Sequence, residues 1–162
     1  MSFEKTLENV LKAEGLDFEI ITHQAFFTVE ATLGEYARMG IPENKSLFLR
    51  DEKKKRFFLV VMAGEKRADL KSLAEEFGEK RLSFCSEAIL AEKLQTTPGA
   101  VSPFGLILDS AENIEVLFDE DLLSDEHIGF HPNLNTQTWK MKTTDFRKFL
   151  ASRPQALNFK PL

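Results

Sequence analysis

Two short runs rich in Phe, Leu and Val, residues 46–50 and 57–62, stand on either side of the charged tract 51–56. Strands joined by so short a connection pair antiparallel, so this segment predicts a β-hairpin and excludes a sheet wound only from parallel βαβ units. The other patterns fit around it. Helices are expected at 2–14, 28–38, 69–77, 86–95 and 143–150, with Ser2, Thr28, Asp69, Ser86 and Thr143 or Thr144 as N-caps and Gly15, Gly40 and Gly78 at the stops. Further strands are expected at 18–22, 105–108, 114–118, 128–130 and 138–141. The order follows no strict βαβ alternation. The fold class expected is α/β of the α+β type, a mixed, largely antiparallel sheet surrounded by helices. The tail 151–162, with two Pro, is expected to lie over the surface or fray.

A chain of 162 residues with 43% hydrophobic positions suits one domain over 1–162. Its 15 Phe against one Tyr and one Trp mark rings used as buried bulk, since Phe carries no polar group that needs a partner. No apolar run approaches the roughly 20 residues that span a bilayer, and the N-terminus reads as a helix with acids rather than a signal peptide. The lone Cys85 rules out an internal disulfide. A cytoplasmic protein is expected.

The net charge of −5 hides a segregation. Residues 109–126 carry eight acids and no Lys or Arg, whereas 45–81 carry eleven basic residues against seven acids and 138–160 carry six against one. Two basic stretches meeting in the fold would offer a positive face to a polyanion, with the acidic stretch elsewhere. Taken singly, Lys53, Lys54, Lys55 and Arg56 also fit a solvated hairpin tip.

Motifs for familiar chemistry are missing. His23, His127 and His131 have no metal-ligand spacing, and there is no phosphate-binding glycine loop, dinucleotide fingerprint or serine-hydrolase elbow. No metal and no cofactor is expected. Three local features remain: Lys45 at the entry to the first hairpin strand, the loop around Gly99, Ala100 and Pro103, and the turn Gly129, Phe130, His131, Pro132, Asn133. Each alone also reads plainly, as a solvated strand-edge lysine, an ordinary turn and a structural histidine.

Taken in order, the Lys before LFLRD, the charged hairpin into FFLVV, the G-x-x-x-P loop at Gly99 and Pro103 and the late FHPN turn resemble the bacterial prolyl-tRNA editing family, YbaK/ProX. The resemblance runs over about 22–150 and is strongest to free-standing ProX-type deacylases of alanyl-tRNA(Pro). It implies a YbaK/ProX-like fold and hydrolysis of the ester that joins a wrongly attached amino acid to the terminal ribose. Such an ester is activated by its α-ammonium and vicinal hydroxyl, so placement, a water and oxyanion stabilisation suffice.

By the same resemblance Lys45 grips the phosphate of the terminal adenosine, Gly99 lets main chain approach the ester, and His131 stands near the substrate as a donor or wall. Asn44, Ser46, Ala100 and Pro103 are expected to line the substrate site. Lys53, Lys54, Lys55, Arg56, Lys66 and Arg67, with basic residues of 140–148, are expected to meet the acceptor stem. The partners implied are tRNA(Pro) charged with alanine and, as an open association, prolyl-tRNA synthetase; no DNA and no membrane are expected. One departure stands out, because related proteins commonly carry Asn after the lysine and this chain has Ser46. The alternatives are a deacylase for cysteinyl-tRNA(Pro) or a seryl or threonyl species, a non-catalytic tRNA-binding module of a synthetase complex, and a small-molecule-binding domain.

Overall fold

The computed structural model describes residues 1–25 and 29–162, the side chains of 29–33 apart. Helix α1 (Phe3–Ala13) starts where the Ser2 hydroxyl accepts from the Lys5 amide at 3.2 Å, and buries Leu7 and Leu11. It stops at Gly15, whose φ of +71° a side chain would resist. Strand β1 (Glu19–Thr22) and helix α2 (Val29–Met39) follow; Thr28, the expected cap, lies outside the described residues.

The hairpin forms as expected. β2 (Asn44–Asp51) and β3 (Phe57–Ala63) pair antiparallel from Asn44 opposite Ala63 to Arg50 opposite Phe57. Asp51 organises its tip, one carboxylate oxygen accepting from the amides of Lys55 at 2.8 Å and Arg56 at 2.9 Å. Next come α3 (Leu70–Glu76), capped by Asp69, β4 (Leu82–Phe84) and α4 (Glu87–Leu94), capped by Ser86. The remaining elements are β5 (Glu115–Asp119), β6 (His127–Phe130), β7 (Gln137–Lys142), α5 (Thr143–Ala151) and β8 (Leu157–Lys160).

The strands form two sheets, one ordered β1-β7-β6 and one ordered β4-β2-β3-β5-β8. The smaller sheet is antiparallel throughout; in the larger, β3 with β5 and β5 with β8 run parallel. This is the mixed α/β class expected from the sequence.

One local expectation fails, one is narrowed, and two short strands, β4 and β8, are unexpected. Residues 105–108 form no strand, because Pro103 opens a tight helical turn over Pro103–Ile107. Of the two readings of the tail, the surface one holds, since 158–160 are exposed, and fraying does not: Gln155 is buried, donating to the carbonyls of Leu106 at 2.9 Å and Ala111 at 3.0 Å, and β8 closes the sheet beside β5. β4 has three residues, too few for alternation to register in sequence.

Alternation along β2 and β3 divides the core in two. Phe48, Leu59 and Val61 face the side filled by Phe104, Phe118, Phe130, Trp139, Phe146 and Phe149. Leu49, Phe58, Val60 and Met62 face the side covered by Leu73 and Ala74 of α3. Each fully buried Phe contributes about 1.5–3 kcal/mol of burial free energy, so the Phe-rich composition is the core. Among the described residues no helix is long and apolar enough to cross a membrane.

The charged stretches meet rather than separate. Arg56 reaches Glu115 at 2.7 Å and Glu79 at 2.6 Å, and Lys66 reaches Asp119 at 2.9 Å and Asp121 at 2.5 Å. The acidic stretch therefore neutralises part of the basic one, contrary to the expected separation.

Candidate functional site

The loop after α4 is built from its own side chains. Gln95 turns left-handed at φ +51°, and the buried Thr96 hydroxyl donates to the Ala100 carbonyl at 3.1 Å, closing the turn Pro98–Ala100. Ser102 then caps the next turn, accepting from the Phe104 amide at 3.2 Å. Ala100 and Pro103 are buried while Gly99 is exposed. A Cβ built on Gly99 would meet Asn135 Nδ2 at 3.6 Å, an ordinary contact, and its φ is not in the left-handed range. The fold itself does not demand glycine there.

The turn after β6 locks onto this loop. Ser102 donates its hydroxyl to the His131 carbonyl at 2.6 Å, and Asn133 Nδ2 donates to the last carbonyls of α4, Leu94 at 2.7 Å and Gln95 at 3.2 Å. Asn133, at φ +62°, is thus a C-cap supplied from 38 residues away, a role its place in FHPN did not reveal. Its buried Oδ1 has no hydrogen-bond partner among the described residues.

His131 Nδ1 donates to the Gln137 carbonyl at 2.7 Å, which fixes the neutral ring with the lone pair on Nε2. Burial holds its pKa below the usual histidine value; the Gln137 bond works the other way, and His23, its ring centre 5.9 Å off, lowers it further. His23 donates from Nδ1 to the Gln24 carbonyl at 2.8 Å and accepts from Thr138 at Nε2, also at 2.8 Å.

Asn44, Lys45 and Ser46 begin β2. Asn44 Nδ2 donates to the Gly129 carbonyl at 3.0 Å, joining the larger sheet to the smaller one two residues before His131. Gly129 is closely surrounded here: a Cβ would come 2.7 Å from Ile41 Cδ1 and 3.0 Å from Thr138 Cγ2, so a side chain would force the end of Ile41 to shift. Asn44 and Ser46 lie opposite Ala63 and Val61, on the face that carries the Gly99 loop. Lys45 lies opposite Met62, on the α3 face, where its ammonium donates to the Lys66 carbonyl. Alternation thus separates the lysine side chain from its two neighbours.

The basic residues divide by partner. Arg56 adds a bond to the Phe77 carbonyl at 3.0 Å, and its guanidinium is held charged by Glu115 above all, against the opposing effect of burial. Lys66 is held charged chiefly by Asp121, with burial opposing and Asp119 assisting. Lys53, Lys54, Lys55 and Arg67 are exposed and, among the described residues, carry no ion pair.

Residues 30–149 match the family model described as the aminoacyl-tRNA editing domain. The chain is 36% identical over 140 residues to the prolyl-tRNA editing protein ProX of Acetoanaerobium sticklandii, covering 83% of this chain and 82% of that one. It is 26% identical over 159 residues to the multifunctional Ser/Thr-tRNA deacylase ProXp-y of Escherichia coli K12, covering 93% and 89%. A solved structure described as a candidate trans-editing enzyme for prolyl-tRNA synthetase superposes with a TM-score of 0.72 at 18% identity, covering 98% of this chain and 96% of that one. At that identity the likeness shows the fold. With the Gly99 loop, the FHPN turn and the start of β2 bonded together within the matched span, this chain belongs to the aminoacyl-tRNA editing domain family, the YbaK/ProX group of tRNA-deacylating hydrolases.

Proposed function

We propose that this chain hydrolyses the ester of alanyl-tRNA(Pro) in trans, on tRNA charged in the cytoplasm by prolyl-tRNA synthetase. The observation that carries the reading is the pair of bonds from Ser102 to His131 and from Asn44 to Gly129, which hold three separate segments at one face. Gly99 is exposed there although the fold would accept a side chain, so bare main chain is offered to a ligand. Amides of that loop stabilise the developing oxyanion, and the ribose hydroxyl beside the ester assists the water. No general base is needed, which suits a His131 already committed to Gln137.

Lys45 is assigned the terminal phosphate by the family resemblance; its side chain leaves β2 on the α3 face, so the phosphate reaches it past the start of the strand rather than across the face of the Gly99 loop. A charge-assisted bond to phosphate is roughly twice as strong as one to a neutral carbonyl, so the phosphate draws the ammonium from the Lys66 carbonyl. Lys53, Lys54, Lys55 and Arg67 meet the acceptor stem, while Arg56 and Lys66, bound to carboxylates, hold the scaffold. A prolyl-tRNA synthetase pocket cannot strongly reject the smaller alanine, since each missing methylene is worth only about 1–3 kcal/mol, and a second site corrects the error.

The test is a deacylation panel of alanyl-, cysteinyl- and prolyl-tRNA(Pro) with seryl- and threonyl-tRNA. Alanyl-tRNA(Pro) is expected to turn over fastest and prolyl-tRNA(Pro) to be spared, with Lys45→Ala losing at least a hundredfold while keeping its fold. Preference for the seryl or threonyl species overturns the alanyl assignment. Turnover of none of them overturns the reading as a whole.

A further inference from the structure

At the far end of β2 a cleft of about 360 Å³ is lined by Arg50, Lys54, Phe57, Phe84, Ser86 and Ile89. Its lining holds two cations and no acid, in a chain of net charge −5. Arg50 and Lys54 have no ion pair among the described residues, unlike Arg56 and Lys66. A third cation, Lys93, stands 5.1 Å from the centre of the Phe57 ring. Phe84 at the edge is 56% exposed, although most phenylalanines of this chain are drawn into its cores. A protein gains nothing in stability by leaving a large ring in water. An exposed ring among unpaired cations is the arrangement that stacks a base and neutralises the phosphates beside it.

The cleft also lies in line with the proposed site. Arg50 is six residues along β2 from Asn44 and four from Ser46, and alternation puts all three on one face. From Ser46 to Arg50 the strand advances about 14 Å. Ser86 caps α4 and Ile89 lies in its first turns, while the far end of that helix, about 12 Å away, leads into the Gly99 loop. A stacked strand rising about 3.4 Å per nucleotide covers that span in about four steps, and an extended one in fewer. We propose that this cleft takes an unpaired nucleotide of the tRNA's single-stranded 3′ end, with its base stacked on Phe84 and its phosphates met by Arg50 and Lys54. The inference rests on the proposed function and adds where the strand runs.

The experiment measures binding of a short single-stranded RNA ending in CCA, and of uncharged tRNA(Pro), across a salt series. Phe84→Ala is expected to weaken both about tenfold, and Phe84→Tyr, which keeps the stacking face, to restore binding. Replacing Arg50 and Lys54 by Ala together is expected to lower the salt slope by about one to two. Equal affinities for wild type and Phe84→Ala, with unchanged thermal midpoints, overturn the proposal. So does capture of an acidic peptide of equal charge as tightly as the RNA, which marks a protein-docking surface instead. Deacylation separates the two readings. If the wild type deacylates alanyl-tRNA(Pro) while Phe84→Ala binds normally, the cleft is wrong and the function stands; loss of RNA binding in Phe84→Ala without any wild-type turnover is the reverse.

Discussion

The Ser102 hydroxyl donates to the main-chain carbonyl of His131 over 2.6 Å while accepting from the Phe104 amide at 3.2 Å. One buried side chain thus serves the Pro-containing loop and the late histidine turn at once, 29 residues apart in sequence. Ser102→Ala leaves one carbonyl and one amide without that partner, at an expected cost of about 1–3 kcal/mol in urea unfolding. Single-turnover deacylation should slow more than the KM changes, because the loop is loosened rather than the tRNA grip. Unaltered stability would mean that Asn133 alone holds the two segments together.

His131 gives a pH signature in stability. Burial keeps its folded pKa under the usual 6.5, so between the two values the unfolded chain binds more protons. Stability therefore falls as pH drops from above 6.5 through the folded value, and this contribution changes no further below it. His131→Gln should show a flatter change in urea midpoint between pH 8 and pH 5 than wild type. Parallel slopes would show that the ring does not resist protonation.

Asp119 acts with the opposite charge. Burial alone would raise its pKa, but bonds from the Ala63 amide at 3.0 Å, from Lys66 and from the Asp121 amide at 3.1 Å outweigh it and hold the carboxyl below the usual range. Its contribution is complete above about pH 4, the ordinary carboxylate value, and is lost as pH falls through the lower folded one. Asp119→Asn should cost about 1.5–3 kcal/mol at pH 7 and flatten the acid limb of the stability curve. It should also slow deacylation, since Lys66, which offers its carbonyl to Lys45, loses a tether.

Gln155 anchors the last strand by its two bonds to Leu106 and Ala111. Gln155→Ala is expected to destabilise by about 1–3 kcal/mol and to raise amide exchange in β8 and along the neighbouring edge of β5. Exchange that stays slow there would place the anchoring in the β5–β8 ladder itself.

Cys85 is held by burial at a thiol pKa of about 11, with Arg50 pulling it down. Alkylation at pH 8 should be far slower than for an unperturbed thiol of pKa about 8.5. Arg50→Ala should slow it further. Rapid labelling of wild type would show that the thiol is not desolvated.

The hairpin, the capped helices α1, α3 and α4 and the Phe-rich core were legible in sequence, because each is fixed by near neighbours: an N-cap hydroxyl, a left-handed glycine, an apolar run. The three candidate segments were legible as well, through the order of their motifs. Their union was not. The bonds from Ser102 to His131, Asn44 to Gly129 and Asn133 to Leu94 span 29, 85 and 39 residues, and no local pattern encodes them. Register also decided which basic groups meet carboxylates, pairing Arg56 with Glu79 and Glu115 and Lys66 with Asp119 and Asp121 and leaving Arg50 and Lys54 without an ion pair among the described residues. Local conformational preference is written in adjacent residues, whereas pairing between distant ones depends on how the layers pack. That is why the sequence alone determined the elements and the chemistry on offer, and only the tertiary structure decided which of those groups meet.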